Sequence, residues 1–179
     1  MFRHANRATI AECRFKMCST LRYANGSRPR NVGLVDTDEL LIRESIRDTI
    51  ARYNHAGDRG KYQDMIECFH DDGQLQIVDG ETLHGHAALR TFFSTVRGNT
   101  ATPESLTMLR HCVTNTLIEV LTPTTATANS YFQVLTNVGL DHWGRYRDTF
   151  SPDPESKRWL IQTRSVKTDA YAPTSLFNH

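Results

Sequence analysis

The sequence predicts an α+β fold in which helices come first and a sheet follows. Apolar residues recur at helical spacing up to about residue 96, and the rest of the chain alternates between apolar and polar residues as strands do. Because helices and strands do not alternate along the chain, a doubly wound parallel sheet is not expected. A length of 179 residues with 39% hydrophobic residues fits one globular domain with a tail.

The first helix is expected to begin at Thr37 or Asp38, either of which can cap its N-terminus. Gly57 has a position typical of a C-cap, so Asp58 should lie just beyond the end of the helix. The apolar stripe of this helix has spacings of four, four and three residues and consists of Ile42, Ile46, Ile50 and Tyr53.

Two further helices are expected, over about residues 62–69 and 86–96, with a strand over 74–78 between them. Turn residues at 71–73 and 79–80 bound that strand. The buried face of the third helix is predicted to consist of Leu89, Phe92, Phe93 and Val96.

The second half of the chain predicts four long strands rich in Thr, Val, Tyr and Trp. They are expected over about residues 106–121, 125–138, 142–150 and 158–168. Short connections join them, which favours an antiparallel meander. A curved sheet wrapped around three helices would leave a pocket between its concave face and the first helix.

The net charge of +1 conceals a basic N-terminal segment. Residues 1–30 hold seven basic side chains and one acidic side chain, Glu12. Residues 1–35 are therefore expected to form a disordered tail or a targeting segment, and the domain is expected to span residues 36–179.

Composition also limits the partners and the compartment. No apolar run is long enough for a membrane span or a secretory signal, so a cytoplasmic protein is expected, or a mitochondrial one if the basic segment is a transit peptide. The near-neutral charge argues against nucleic acid as a partner. Cys13 and Cys18 lack a second pair of ligands, so no metal site is predicted.

Several polar residues fall where a buried apolar face is expected. Tyr53 lies on the apolar stripe of the first helix, and Asp58 follows five residues later. In the first long strand, alternation places His111 on one face with Val113, Asn115 and Leu117. A histidine bonded to a buried carboxylate is a general base, although each residue taken alone also has an ordinary structural interpretation.

The later strands supply further candidates for the same pocket. Asn129 and Tyr131 share one face of the second long strand, and Tyr146 and Arg164 lie on the last two strands. Tyrosine hydroxyls and a nearby arginine can hold a substrate oxygen on which negative charge develops. The polar run over residues 141–146 predicts a pocket rim or a subunit contact.

Five loose motifs in a fixed order together resemble a known family. They are Ile50-Ala-Arg-Tyr-Asn-His-Ala-Gly-Asp58, Phe69-His-Asp-Asp-Gly73, Gly85-His-Ala-Ala-Leu89, Arg110-His111 and residues 159–166. The chain resembles the SnoaL-like branch of the nuclear transport factor 2-like superfamily over about residues 36–168. The resemblance is to its dehydratase and isomerase members, such as scytalone dehydratase and bile-acid dehydratase.

The resemblance implies an α+β cone, in which a strongly curved, mixed but mainly antiparallel sheet surrounds three N-terminal helices. It also implies that Asp58 and His111 form a catalytic pair, with Tyr53 as a third catalytic residue. Arg164 matches an arginine that one branch uses in its last strand. No metal or organic cofactor is implied.

The function expected from these features is that of a cofactor-free lyase or isomerase acting on a small hydrophobic, oxygenated molecule such as a polyketide, steroid or terpenoid. Asn129, Tyr131, Tyr146 and Arg164 are the expected substrate-binding residues. Two alternatives are a non-catalytic ligand-binding or association module and the small subunit of a ring-hydroxylating oxygenase. The exposed edges of the sheet favour a homodimer or a homotrimer.

Overall fold

The computed structural model describes residues 36–99, 106 and 108–177. The basic segment over residues 1–35, for which disorder or targeting is predicted, lies outside the described residues, and so do Cys13 and Cys18. Side chains of residues 96–99 are also outside the description, so the predicted burial of Val96 stays a prediction.

The described residues form three helices and a six-stranded curved sheet, which confirms the α+β class. The helices are α1 (Thr37–Asp58), α2 (Tyr62–Ile66) and α3 (Gly85–Asn99). The strands are β1 (Phe69–Ile77), β2 (Thr82–His84), β3 (Leu109–Thr122), β4 (Thr125–Thr136), β5 (Gly139–Pro152) and β6 (Trp159–Tyr171).

The strand order in the sheet is β2-β1-β6-β5-β4-β3. Neighbouring strands are antiparallel except for β1 and β6, which are parallel. The sheet is therefore mixed but mainly antiparallel, as expected. Among the described residues, no helix is long and apolar enough to cross a membrane.

The core lies between the helices and one face of the sheet, which is called the inner face below. Ile46 and Ile50 of α1 and Leu89 of α3 are buried against Ile118 and Ile161 of the sheet. Burying such side chains stabilises the fold by roughly 1.5–3 kcal/mol each. The apolar stripe read from the sequence is thus the packed face of α1.

The ends of α1 differ from the sequence prediction by one residue on each side. Asp36 is the N-cap, and its carboxylate accepts from the backbone N–H of Asp38 at 2.8 Å. The helix continues through Gly57, so Asp58 is its last residue, and Gly60 has the positive φ of 64° that turns the chain.

Strand β1 begins five residues earlier than the sequence predicts and contains the expected turn at 71–73. The pairing of β1 with β6 shifts between Phe69 and Gln74, which absorbs these residues as an irregularity of the strand. A side chain at Gly73 would bring Cβ within 2.8 Å of the carbonyl oxygen of His70, so only glycine fits this close approach. The short strand β2 was not predicted.

Strand β3 contains a second irregularity, and it corrects the predicted alternation. Its pairing with β4 shifts between Thr114 and Leu117, and Asn115 has a positive φ of 52°. His111 and Val113 remain on the inner side, but Leu117 is 59% exposed and Ile118 is buried instead. The extra residue reverses the two faces, so the prediction that Asn115 and Leu117 share the face of His111 is wrong.

Candidate functional site

A cavity of about 320 Å³ lies between the helices and the inner face of the sheet. This volume is at the lower end of the range of small-molecule sites, roughly 300–1,000 Å³. Most of its wall is apolar and is formed by Tyr62, Met65, Leu75, Ile77, Phe92, Phe93, Leu109, Phe132 and Val166. The polar exceptions are the residues that give the cavity its chemistry.

Asp58 and His111 form a hydrogen-bonded pair, as the family resemblance implies, and His111 lines this cavity. Nδ1 of His111 lies 2.7 Å from Oδ1 of Asp58, and the backbone N–H of His111 donates to the same oxygen at 2.9 Å. The side chain of His111 is 23% exposed, and that of Asp58 is 9% exposed. These two contacts hold the carboxylate of Asp58, at the end of α1, against His111 on β3.

The pair is also reached from a second, more open cleft between α1 and β3. This cleft has a volume of about 460 Å³ and is lined by Asp58, His111 and Asn54, among others. His111 lines both the cavity and the cleft, whereas Asp58 lines only the cleft. His111 can therefore contact a ligand in the apolar cavity while Asp58 holds it from the other side.

Tyr53 and Tyr146 line the cavity and enclose Arg164 from two sides. The guanidinium carbon of Arg164 lies 4.1 Å from the ring centre of Tyr53 and 4.4 Å from that of Tyr146. Arg164 also donates two hydrogen bonds to the carboxylate of Asp148, at 2.9 and 2.7 Å, and both side chains are fully buried. Arg164 therefore stands behind the tyrosine rings and does not line the cavity, which corrects its predicted role in direct substrate binding.

Burial governs the ionisation of this group. It raises the pKa of the Tyr53 and Tyr146 hydroxyls, and the charge of Arg164 opposes the rise only in part. Both tyrosines consequently keep their protons near neutral pH and remain hydrogen-bond donors. Burial alone would lower the pKa of Arg164, but the Asp148 carboxylate outweighs it and raises that pKa, so the guanidinium stays charged.

Asn129 and Tyr131 do not reach the cavity, which corrects their predicted role in substrate binding. Both lie on the outer face of β4, where Tyr131 is 55% exposed. Ser130 and Phe132, one residue on, point inward and are buried. The strand alternates regularly here, so the polar residues take the solvent side and the opposite set packs under the helices.

The structure adds a second Asp–His pair that the sequence interpretation did not assign to the site. Nδ1 of His142 lies 2.8 Å from Oδ1 of Asp141, and the His142 ring lines the same cavity as His111. His111 and His142 both pair with Val134, one from β3 and one from β5. The two histidines therefore share one row of the inner face, roughly 10 Å apart at the backbone.

In the sequence, only the polar start of β5 indicates this second pair, and that run predicts a pocket rim or a subunit contact. The pairing of β5 with β4 shifts at this point, so that Asp141 is an extra residue between Leu140 and His142. The aspartate is fully buried, and the following histidine turns to the cavity.

The family of the chain follows from comparison with known sequences. The model of the SnoaL-like domain family matches residues 38–165, which contain both Asp–His pairs. No curated protein sequence matches the chain.

Solved structures share the fold over most of the chain. An NTF2-like protein with a cystatin-like fold from Novosphingobium aromaticivorans is 25% identical, with 82% of this chain and 100% of that protein covered at a TM-score of 0.62. A scytalone dehydratase-like protein from the same species is 16% identical, with 75% and 89% covered and a TM-score of 0.64. LinA is 17% identical, with 76% and 91% covered and a TM-score of 0.64. Since the family match spans more than half of the chain and the folds agree, the chain belongs to the SnoaL-like domain family of the NTF2-like superfamily.

Proposed function

We propose that this protein is a lyase or isomerase that abstracts a proton from a small, apolar, oxygenated molecule and uses its own side chains as acid and base. The observation that carries the proposal is the Asp58–His111 pair, whose histidine lines a mainly apolar cavity. Membership of the SnoaL-like family, and a fold shared with a scytalone dehydratase-like protein, support the same chemistry.

The contact with Asp58 determines which nitrogen of His111 acts as the base. An ionised carboxylate can only accept hydrogen bonds, so Nδ1 carries the proton and Nε2 holds the free lone pair. When Nε2 takes a proton, the resulting imidazolium lies 2.7 Å from the carboxylate, which stabilises its charge. General-base catalysis of this kind contributes about 10²–10⁴-fold to the rate.

The proposed step is an elimination or a double-bond shift beside a carbonyl group. Nε2 of His111 takes the proton from carbon, and the C–H electron pair forms the new C=C bond. In a double-bond shift, the electron pair of the former C=C bond moves to its far carbon, which takes the proton back from His111. In an elimination the leaving group departs with its bonding electrons. If that group is a hydroxyl, the proton held by His111 passes to it and water is released.

Tyr53 and Tyr146 suit the stabilisation of the substrate oxygen. Both line the cavity, and their raised pKa values keep the hydroxyls protonated as donors. The buried charge of Arg164, about 4 Å behind both rings, favours negative charge developing on an oxygen nearby. Small polyketides, steroids and terpenoids are examples of substrates that combine an apolar body with such an oxygen.

A metabolite screen tests the proposal, because no substrate needs to be assumed. Pools of small apolar metabolites are incubated with the wild type, with His111→Ala and with Asp58→Asn, and consumption is followed by mass spectrometry. Cys112→Ala is the matched control, because it changes the next residue on β3, whose side chain lies on the other face. We expect a compound consumed by the wild type and the control, with rates lowered about 10²–10⁴-fold in His111→Ala.

Two outcomes contradict the proposal. One is a consumed compound whose turnover survives both His111→Ala and Asp58→Asn. The other is a set of metabolites that raise the melting temperature of the wild type but are not consumed, which would indicate a binding module.

A further inference from the structure

The Asp141–His142 pair is held by several hydrogen bonds, and the proposed reaction does not use it. Asp141 is fully buried, yet its carboxylate accepts from three donors: Ser175 Oγ and the Leu176 backbone N–H at 2.7 Å each, and His142 Nδ1 at 2.8 Å. Burial would raise the pKa of Asp141, but these hydrogen bonds outweigh it and hold the pKa below its usual value. The carboxylate is therefore ionised and fully engaged.

This arrangement fixes the state of the His142 ring. Because the carboxylate can only accept, Nδ1 of His142 carries the proton and Nε2 is left as the acceptor atom. Burial lowers the pKa of His142 and outweighs the attraction of Asp141, so the ring is neutral near pH 7. Nε2 makes no hydrogen bond to any of the described residues, and the ring lines the apolar cavity.

Residues 172–177, called the C-terminal clasp here, hold the pair in place. Besides the two contacts to the carboxylate, the backbone N–H of Ala172 donates to the carbonyl of Asp141 at 2.7 Å. The ring of Phe177 packs edge-on against His142 at 5.2 Å and lines the cavity itself. The clasp thus connects the end of the described chain to one wall of the site.

We propose that His142 is a second recognition element of the cavity, at which Nε2 accepts a hydrogen bond from a hydroxyl group of the ligand. The cavity then selects apolar molecules that carry a hydroxyl over otherwise identical molecules without one. Asp141 and the clasp act as positioning groups, because they hold the acceptor atom toward the ligand. From the proposed function, this inference takes only that the cavity binds a small apolar molecule.

Binding of two matched probes, 2-naphthol and naphthalene, tests the inference by calorimetry near pH 7. One net hydrogen bond is worth about fivefold to tenfold in affinity, so the wild type is expected to bind 2-naphthol tighter by that factor. His142→Phe keeps a ring in the contact with Phe177 but removes the acceptor atom. It should bind both probes equally, with the affinity for naphthalene within about twofold of the wild type.

His111→Phe is the comparison variant. Ser175→Ala tests the clasp with a smaller change, because it leaves the His142 ring in place. His111→Phe should retain the preference for the hydroxyl. Ser175→Ala removes one donor to Asp141 and should reduce the preference while leaving naphthalene binding unchanged. A preference that survives in His142→Phe, or that disappears in His111→Phe instead, overturns the inference, and so does a wild type that binds neither probe.

The probes do not react, so this result is independent of turnover. Failure of the catalytic proposal would show as unchanged rates in His111→Ala, whereas failure here would show as an unchanged binding ratio in His142→Phe.

Discussion

Asp148→Asn is the substitution whose effect on stability can be worked out most fully from the structure. Asp148 and Arg164 are both fully buried and joined by two hydrogen bonds of 2.9 and 2.7 Å. Asparagine has nearly the same shape but no charge, and its amide nitrogen would face a guanidinium nitrogen, donor against donor. The variant therefore leaves a buried positive charge without compensation, beneath the rings of Tyr53 and Tyr146.

The expected loss is about 3–5 kcal/mol in the free energy of unfolding, which is typical when one partner of a buried pair is removed. A pair on the same two strands provides the control. Arg145 and Asp169 lie 3.1 Å apart with side chains 39% and 35% exposed, and exposed pairs of this kind contribute about 0–1 kcal/mol. Asp169→Asn should therefore be nearly neutral.

Urea unfolding at pH 7, followed by circular dichroism, measures both variants. At about 2–4 °C per kcal/mol for a domain of this size, Asp148→Asn should also lower the melting temperature by about 6–20 °C. A double variant, Asp148→Leu with Arg164→Met, should recover part of the loss because it removes both charges. If Asp148→Asn costs no more than Asp169→Asn, the assignment of Arg164 as a charged, carboxylate-dependent support of the tyrosines is wrong.

Three further predictions concern packing, pH and assembly. Gly144→Ala should destabilise the protein by about 1–3 kcal/mol in urea unfolding, because its Cβ would collide with the carbonyl of Lys167 and lie 2.8 Å from Cζ of Phe132. Gly57→Ala is the control, because its Cβ meets only the side chain of Met65, and its stability should stay within about 1 kcal/mol of the wild type. Because burial lowers the pKa of His142 in the folded state, the unfolded chain binds a proton at this histidine more readily. The free energy of unfolding should therefore fall as the pH drops below about 6.5, and His142→Phe should weaken that pH dependence. The titratable groups that face this ring are Asp141, His111 and Tyr171. Sedimentation should give a dimer or a trimer at micromolar concentration, since large apolar side chains are exposed on the outer face of the sheet, and a monomer would contradict this expectation.

The sequence was most informative where one periodicity holds without interruption. The stripe along α1 predicted both the buried face of the helix and the position of Asp58 at its end, to within one residue. Alternation in β3 is regular as far as Val113, so His111 and Val113 share one face, as predicted. These two regularities make Asp58 and His111 candidates, and the family resemblance pairs them although the residues are 53 positions apart.

The error on β4 has a different origin. Alternation assigns residues to two faces of a strand, but it does not state which face the helices cover. The prediction that Asn129 and Tyr131 bind substrate rests on their chemistry, whereas the opposite set, Ala128, Ser130 and Phe132, is smaller or more apolar and is buried. Hydrophobicity of the whole set is the better guide to the buried face, because the cost of burying polar groups applies to every residue in the row.

The two histidines of the cavity each lie on a strand that departs from simple alternation. The extra residue in β3 comes a few positions after His111, and in β5 the extra residue is Asp141 itself, directly before His142. A bulge changes the direction of the side chains that follow it, and in β5 it allows one residue to be buried as a carboxylate while the next faces the cavity. The donors that hold that carboxylate come from Ser175 and Leu176, more than 30 residues later, and no local pattern links them to it. Periodicity and the family resemblance together therefore reach the first Asp–His pair, whereas the second is missed because it depends on a broken period and on contacts made only by the folded chain.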